Sequence, residues 1–410
     1  MAPSTLGQLM LGYQLVWNRA RRPAAVELFM ATVGDEPVEG AHFLRTLEQT
    51  WSEQCPSLML TPQTPGLLTD LLEHGVPNGP WLVVRQELLG QAGVAPLLRQ
   101  AHGRGLKLLW RGAPGQRPDS DLAPCFFRTL LSLTPGEAIL ALQASLRQAQ
   151  GAVRCQADPG SPVPPDQIIE AVASRQMADH CLDQQLVWGV AGWPLDDVLL
   201  SYQNMPIQPS HRAIVRLIQQ TDADAALEVI EHTLADEPLL AYRFLLYANS
   251  PALGLRSAVE SLRHGLMLLG LLRFKAWLQD LMPLASNEPD MDPVRMTMVL
   301  RARMMEHLLE AGDEDTLRRE VFLCGMLSQI EGLMGEPLHD AINRLPLPER
   351  VTGAILANSG PYAPFLELAT ALEFPNMASV PALCTTYELD LAEVNRTLIR
   401  VLAQLHQPGG

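Results

Sequence analysis

At 410 residues, 47% of them hydrophobic and 18% charged, the chain is long enough for two or more packed domains and too apolar for a disordered tether. Its 30 Lys and Arg against 45 Asp and Glu leave a formal charge of −15, which repels nucleic acid and anionic membrane unless a basic face is set apart. The longest apolar run, 265–272, is far too short to span a bilayer, and the N-terminus lacks the pattern of a secretory signal, so a cytoplasmic protein is expected. Six cysteines (Cys55, Cys125, Cys155, Cys181, Cys324 and Cys384) are scattered with no C-x-x-C pair. Reduced core thiols are expected rather than a zinc site or a disulfide framework.

Up to about Pro194, short apolar runs alternate with helical stretches and Gly/Pro loops. Leu15-Val16-Trp17, Ser57-Leu58-Met59-Leu60, Trp81-Leu82-Val83-Val84 and Leu106-Lys107-Leu108-Leu109-Trp110 read as strands. Residues 88–102 carry i, i+3, i+4 apolar spacing and read as helix. Strands alternating with helices predict an α/β unit with a largely parallel sheet. Residues 112–124, with three prolines and two glycines, read as a mobile loop, and 196–210, with Pro206 and Pro209, as a linker.

From His211 onward the pattern is helical. Ile214, Leu217 and Ile218 share one face, and Asp222 is placed to cap a second helix carrying Leu227, Ile230 and Leu234. Pro238 suits the first turn of a third, with Leu240, Phe244 and Tyr247 as its stripe and Asn249 as a left-handed end. Ser261 is expected to cap a long helix reaching Leu281, followed by helices near 294–311, 319–334 and 389–405.

The order Ala235-Asp236-Glu237-Pro238-Leu239-Leu240, Tyr247-Ala248-Asn249-Ser250, Ser261-Leu262 and Leu269-Gly270 resembles the HDOD domain, a helical relative of the HD phosphohydrolases that has lost its metal site. The resemblance covers about 202–405 and is most specific over 211–275. Where an HD hydrolase carries a His-Asp dipeptide after a Gly-(Leu/Met)-Leu step, this chain has Gly325-Met326-Leu327 followed by Ser328-Gln329, and 294–303 offers no histidine. Neither replacement supplies an imidazole and carboxylate pair for a metal. The literal dipeptide His339-Asp340 falls one segment late and reads as a solvated helix start. His264 and His307 read as ordinary helix residues.

HDOD domains are often joined to EAL domains, the cyclic-di-GMP phosphodiesterase fold, and 11–196 resembles a degenerate EAL domain. Tyr13-Gln14-Leu15-Val16 with Val26-Glu27-Leu28-Phe29 resembles its opening hairpin. Residues 57–62, 83–87, 105–112 and 188–194 resemble its later motifs in order. Together the two resemblances imply an α/β plus all-α chain: a degenerate EAL-type (β/α)8-like barrel over 1–200, then an HD-related helical HDOD bundle over 201–410.

EAL chemistry needs two divalent cations held by several carboxylates. By this alignment only Glu27 survives, as a vestigial ligand position. Met59 stands for an Asn, Val84 for a Glu, Arg111 and Gly112 for an Asp pair, and Trp188 for a Gln. A guanidinium about 4 Å from a cation costs about 4 kcal/mol at an effective dielectric near 20. Read without the resemblance, Glu27 is a strand carboxylate pairing with Arg21 or Arg22. The 19–22 arginine cluster reads as a solvated turn or as a phosphate contact. His102-Gly103-Arg104-Gly105 reads as a helix C-cap, and Cys181 beside His180 makes no triad by adjacency.

The expected function is therefore non-catalytic: a bacterial signal-transduction protein of cyclic-di-GMP signalling that contacts other signalling proteins. No catalytic residue, metal, cofactor, nucleic acid or membrane is expected. Two alternatives stand beside it: a cyclic-di-GMP receptor in which Trp188 or Trp110 stacks on a guanine, and an active cyclic-di-GMP phosphodiesterase.

Overall fold

Eight short strands close into a barrel in chain order: β1 Leu9–Trp17, β2 Pro23–Thr32, β3 Ser57–Pro62, β4 Trp81–Arg85, β5 Leu108–Gly112, β6 Arg128–Ser132, β7 Ile168–Glu170 and β8 Gly189–Ala191. The computed structural model describes residues 5–34, 38–112, 116–150, 158, 160–202, 206–254, 257–309 and 315–405. Cys155 and parts of the 112–124 and 196–210 segments lie outside the described residues, and the other five cysteines are free and buried. β1 runs antiparallel to both its neighbours and β2 to β8 are mutually parallel. The ends of β2 to β8 therefore gather into one C-terminal rim and one N-terminal rim.

Period-two alternation decides what lines the barrel. Val16, Ala25, Met59, Val83, Leu109, Leu130, Ile168 and Ala191, one from each strand, form a single buried apolar cluster in the lumen. The intervening residues face outward, as Ile169 and Val190 do against Ala141, Met177, Cys181 and Leu182. The helices of this part are α1 Gly40–Thr50, α2 Pro65–His74, α3 Gln86–Leu89, α4 Val94–Gly103, α5 Pro135–Gln150, α6 Arg175–Asp179 and α7 Leu195–Ser201, with a π-helical turn over His180–Gln184. The helix expected over 88–102 is two helices. The start of the expected linker is the helix α7, because Pro206 and Pro209 act only beyond it. The 102–105 tetrad is the end of α4, where Gly105 takes φ +88° and the Leu106 N–H reaches back to Ala101.

The remaining helices are α8 His211–Asp222, α9 Leu227–Ala235, α10 Pro238–Ala248, α11 Leu262–Leu269, α12 Leu271–Leu281, α13 Met291–Leu308, α14 Asp315–Leu327, α15 Ile330–Met334, α16 Leu338–Asn343, α17 Glu349–Ala357, α18 Ala363–Leu372, α19 Val380–Thr386 and α20 Leu391–Ala403. Asp222 ends α8 and does not cap α9. The helix expected from Ser261 to Leu281 breaks at Gly270, whose φ of +73° only glycine adopts at little cost. Asn249 stays right-handed (φ −93°) and uses its side chain instead, donating to the Val259 carbonyl and accepting from the Val259 N–H.

Two compact units result, Met1–Asp197 with Thr370–Gly410, and Val198–Ala369. The helical body expected over 201–410 therefore stops short of its C-terminal part, because residues 370–405 pack with the barrel. Periodicity shows that α20 has an apolar face and is silent on what covers it. Buried Asn395 of α20 donates to the Leu6 and Leu9 carbonyls, tying it to the start of β1.

Candidate functional site

Two residues toward the C-terminal rim from the apolar layer, the same strands carry a polar one. Ala25 is followed at that spacing by Glu27, Met59 by Thr61, Val83 by Arg85, Leu109 by Arg111, Leu130 by Ser132 and Ile168 by Glu170. On reversed β1, Gln14 lies opposite Glu27. This is the end of a β/α barrel where functional groups collect.

Arg111 is the centre of the layer. Its Nη1 donates to Glu27 Oε1 (2.7 Å) and its Nη2 reaches Glu27 Oε2 (3.3 Å). Its Nε and Nη2 donate to Glu170 Oε2 (3.0 and 2.6 Å). Thr61 Oγ1 donates to Glu27 Oε1 (2.5 Å) and Ser132 Oγ to Glu170 Oε1 (2.6 Å). The Phe29 ring lies 5.4 Å from the guanidinium carbon. Burial pushes the Glu27 carboxyl above the usual carboxylate range, against the pull of Arg111 and the Thr61 hydroxyl. Burial also opposes the charge on Arg111, yet Glu27 and Glu170 together hold its pKa above the ordinary value. Both Glu27 oxygens face guanidinium nitrogens, so we treat the pair as ionised.

Arg85, beside Arg111 in the β4–β5 register, donates from Nη2 to the Gln63 carbonyl (2.8 Å), while its buried Nε has no partner. The layer thus holds two guanidiniums and two carboxylates, and its charges cancel without an added ion. These residues do not fit a divalent metal centre, which needs an excess of anionic ligands and open lone pairs. At the rim beside Gly12, an added Cβ would lie 2.5 Å from the Phe374 carbonyl oxygen and 2.9 Å from Met377 Cγ. The returning chain therefore passes close against β1 there.

Several expectations need correction. Glu27 pairs with Arg111 and not with Arg21 or Arg22. Arg21 holds the β1–β2 turn in a left-handed conformation and binds Asp179 (2.6 Å) and Asp183 (2.7 Å). Val84 and Gly112 occupy outward-facing positions, where Gly112 leaves room for the Trp110 indole. The lumen-facing neighbours are Val83, Arg85 and Arg111. Met59 belongs to the apolar layer, with Thr61 at the level of Glu27. Trp188 precedes β8 at the opposite rim, and outward-facing Trp110 is spent on a bond to Gln86 Oε1 (2.8 Å), so neither lines the polar mouth. Glu170 went unnoticed, although Ile168-Ile169-Glu170 repeats the apolar-x-polar ending of Leu109-Trp110-Arg111.

In the helical unit the aligned positions Ser328 and Gln329 separate α14 from α15, and they meet the buried Arg301 of α13. Its Nη1 donates to Ser328 Oγ (3.2 Å). With the Gln329 amide turned so that its oxygen faces the guanidinium, it accepts from Nη2 (2.7 Å) and Nη1 (3.0 Å). An arginine again sits against the residues aligned with metal ligands. The signature acids are structural: Asp236 binds Arg303 (2.6 Å) and Glu237 lies 3.5 Å from Arg295, joining the α9–α10 junction to α13. His339 and Asp340 are solvent-exposed.

His180 is buried, with Nδ1 2.6 Å from Gln184 Oε1 and Nε2 2.9 Å from Ser161 Oγ. Burial lowers its pKa, and burial pushes the Cys181 thiol up to about 12, far from a thiolate nucleophile. The unfolded chain, whose histidine titrates near 6.5, binds the proton first, so stability present above that pH declines as acidity reaches the folded value. Urea midpoints should therefore fall between pH 7.5 and 5.5, by about 1.4 kcal/mol per unit of displacement, and His180→Gln should flatten the fall. An unchanged slope in that variant would remove His180 as the cause. Among the described residues one further trio, Asp70, Glu73 and His74 on α2, brings three ligand atoms within 4.8 Å, but Asp70 already accepts the Gly40 N–H.

In comparison with known proteins, residues 206–336 match the HDOD domain family. The chain is 26% identical over 192 residues to the uncharacterized protein YuxH of Bacillus subtilis, covering 46% of this chain and 45% of that one. It is 22% identical over 196 residues to the cyclic di-GMP phosphodiesterase CdgJ of Vibrio cholerae, covering 47% and 45%. Each alignment thus spans less than half of the relative. Among solved structures, BlrP1 of Klebsiella pneumoniae in complex with calcium and cyclic-di-GMP overlaps 47% of this chain and 57% of its own, with 14% identity and a TM-score of 0.30. Among the described residues no helix is long and apolar enough to cross a membrane.

Proposed function

We propose that this chain is a non-catalytic, cytoplasmic signal-transduction protein of cyclic-di-GMP signalling, acting through contacts with other signalling proteins. The observation that carries this reading is the Arg111 guanidinium bound between Glu27 and Glu170 (2.7 and 2.6 Å). A cation of the protein's own fills the space between the two carboxylates and neutralises the charge with which they would hold a metal and activate water. The HDOD domain supports the signalling half of the reading, as does the kinship with CdgJ, whose name records a cyclic-di-GMP activity.

Purified protein incubated with cyclic-di-GMP and excess magnesium or manganese is expected to yield no linear dinucleotide, and any metal-dependent turnover would overturn the proposal. Calorimetric titration with cyclic-di-GMP is expected to give a dissociation constant weaker than about 1 mM, or about −4 kcal/mol. Micromolar binding without turnover would instead make the chain a receptor.

A further inference from the structure

Above the polar layer, at the C-terminal rim, the barrel's own chain returns across the mouth. Strand β1 is regular from Gly12 to Val16, so Gly12 faces the lumen as Gln14 and Val16 do, one step farther out and opposite Phe29. A Cβ on Gly12 would meet the Phe374 carbonyl oxygen at 2.5 Å, Met377 Cγ at 2.9 Å and the Leu372 carbonyl oxygen at 3.5 Å. Residues 372–377, between α18 and α19, therefore lie on the lumen side of β1, and glycine is what permits a second backbone that close. Leu372 and Met377 are buried (0% and 5% exposed), while the Phe374 ring between them is 55% exposed. Burial in the layer below is uneven. Glu27 and Thr61, on β2 and β3, are fully buried, whereas the side chains of Arg111 and Glu170, on β5 and β7, keep 13% and 17% of their surface.

We propose that residues 372–377 are an occluding strap, which closes the mouth on its β1–β3 side and swings out as a unit to open the polar layer to water and small molecules. Two buried anchors hold it, and little else does. Among the described residues, Phe374, Asn376 and Met377 make no hydrogen bond to the barrel. Asn376 Oδ1 accepts from the Ala378 N–H and the Met377 carbonyl from the Val380 N–H, both within the strap's own continuation. A segment held by two apolar side chains and no backbone ladder opens at lower cost than the strands beneath it. Closed, it keeps water from the Glu27 carboxylate, and the lower dielectric strengthens the pull of Arg111. The device acts on access to the layer and goes beyond the function proposed above.

The test is thiol labelling of the full chain carrying Thr61→Cys, a near-isosteric change in the buried part of the layer, with N-ethylmaleimide as reagent and peptide mass spectrometry as readout. The introduced thiol should label slowly, and adding Met377→Ala, which removes an anchor, should speed it about tenfold or more. Gly12→Ala should act in the same direction, because its Cβ displaces the strap backbone. Phe374→Ser, which alters only an exposed ring, should leave the rate unchanged. Cys181, buried outside the barrel wall in the same unit, labels only when the whole unit opens and should not change. The proposal fails if the introduced thiol labels as fast in the closed protein as in urea, if either strap variant leaves its rate unchanged, or if Cys181 accelerates in step with it. Labelling reads the strap and dinucleotide turnover reads the proposed function, so the failure of one is distinct from the failure of the other.

Discussion

Replacing Arg111 with alanine is expected to destabilise the barrel unit by about 3–5 kcal/mol, the usual cost of leaving a buried charge uncompensated. The variant strands Glu27, which is fully buried and keeps only the Thr61 hydroxyl as a hydrogen-bond partner, and it frees one oxygen of Glu170. Urea denaturation followed by tryptophan fluorescence measures the loss. Adding Glu27→Gln and using Arg111→Met should recover most of it, because a neutral, well-filled layer needs no counter-ion. Millimolar manganese should raise the midpoint of Arg111→Ala and leave the parent unchanged, since only the variant presents two carboxylates with no guanidinium between them. A midpoint for Arg111→Ala equal to the parent's would show that the guanidinium is not what neutralises the layer.

Gly325→Val should cost the helical unit about 3 kcal/mol or more, at the upper end of overpacking effects. A Cβ at Gly325 would lie 2.6 Å from the Ala302 Cα and 3.0 Å from its backbone nitrogen, so α13 and α14 must move apart as whole helices. Separation also pulls Arg301 from Ser328 and Gln329, leaving buried donors unmet. Hydrogen exchange should quicken throughout α13 and α14 while β1 to β8 keep their protection. Equal exchange in both proteins would mean that the two helices tolerate the added volume and that the close approach carries little energy.

Much of the HDOD signature is legible because its residues act over short distances, with Asp236 and Glu237, which reach α13, as the exceptions. Pro238 begins α10, Ser261 caps α11 by accepting the His264 N–H (3.2 Å), and Asn249 clamps a backbone ten residues away. Element boundaries were less legible wherever a single backbone angle intervened, as at Gly270. Site positions in the barrel come from an alignment of motifs, and a one-residue offset in such an alignment is costly in a strand. A slip of one residue turns a side chain from lumen to outer face. Val84 and Gly112 accordingly face outward, while Arg111, named together with Gly112, and the unnamed Arg85 face inward. The better signal was present in the repeated endings Val83-Val84-Arg85, Leu109-Trp110-Arg111 and Ile168-Ile169-Glu170, which place a polar group two residues beyond each apolar one.

Taken alone, the residue order determined what depends on neighbours within a few turns: alternating strands and helices in the first half, helical faces and caps in the second, the HDOD motif, and an arginine at the end of a strand. Tertiary structure alone decided which charges meet. Glu27 and Arg111 are 84 residues apart, and Arg111 reaches Glu170 across another 59, so their contacts exist only once strand order and register have closed the barrel. The same holds for α20, whose apolar face is local but whose partner at the start of β1 is nearly four hundred residues away. Local periodicity sets the direction of each side chain; what it touches is set by closure, which no short window of sequence contains.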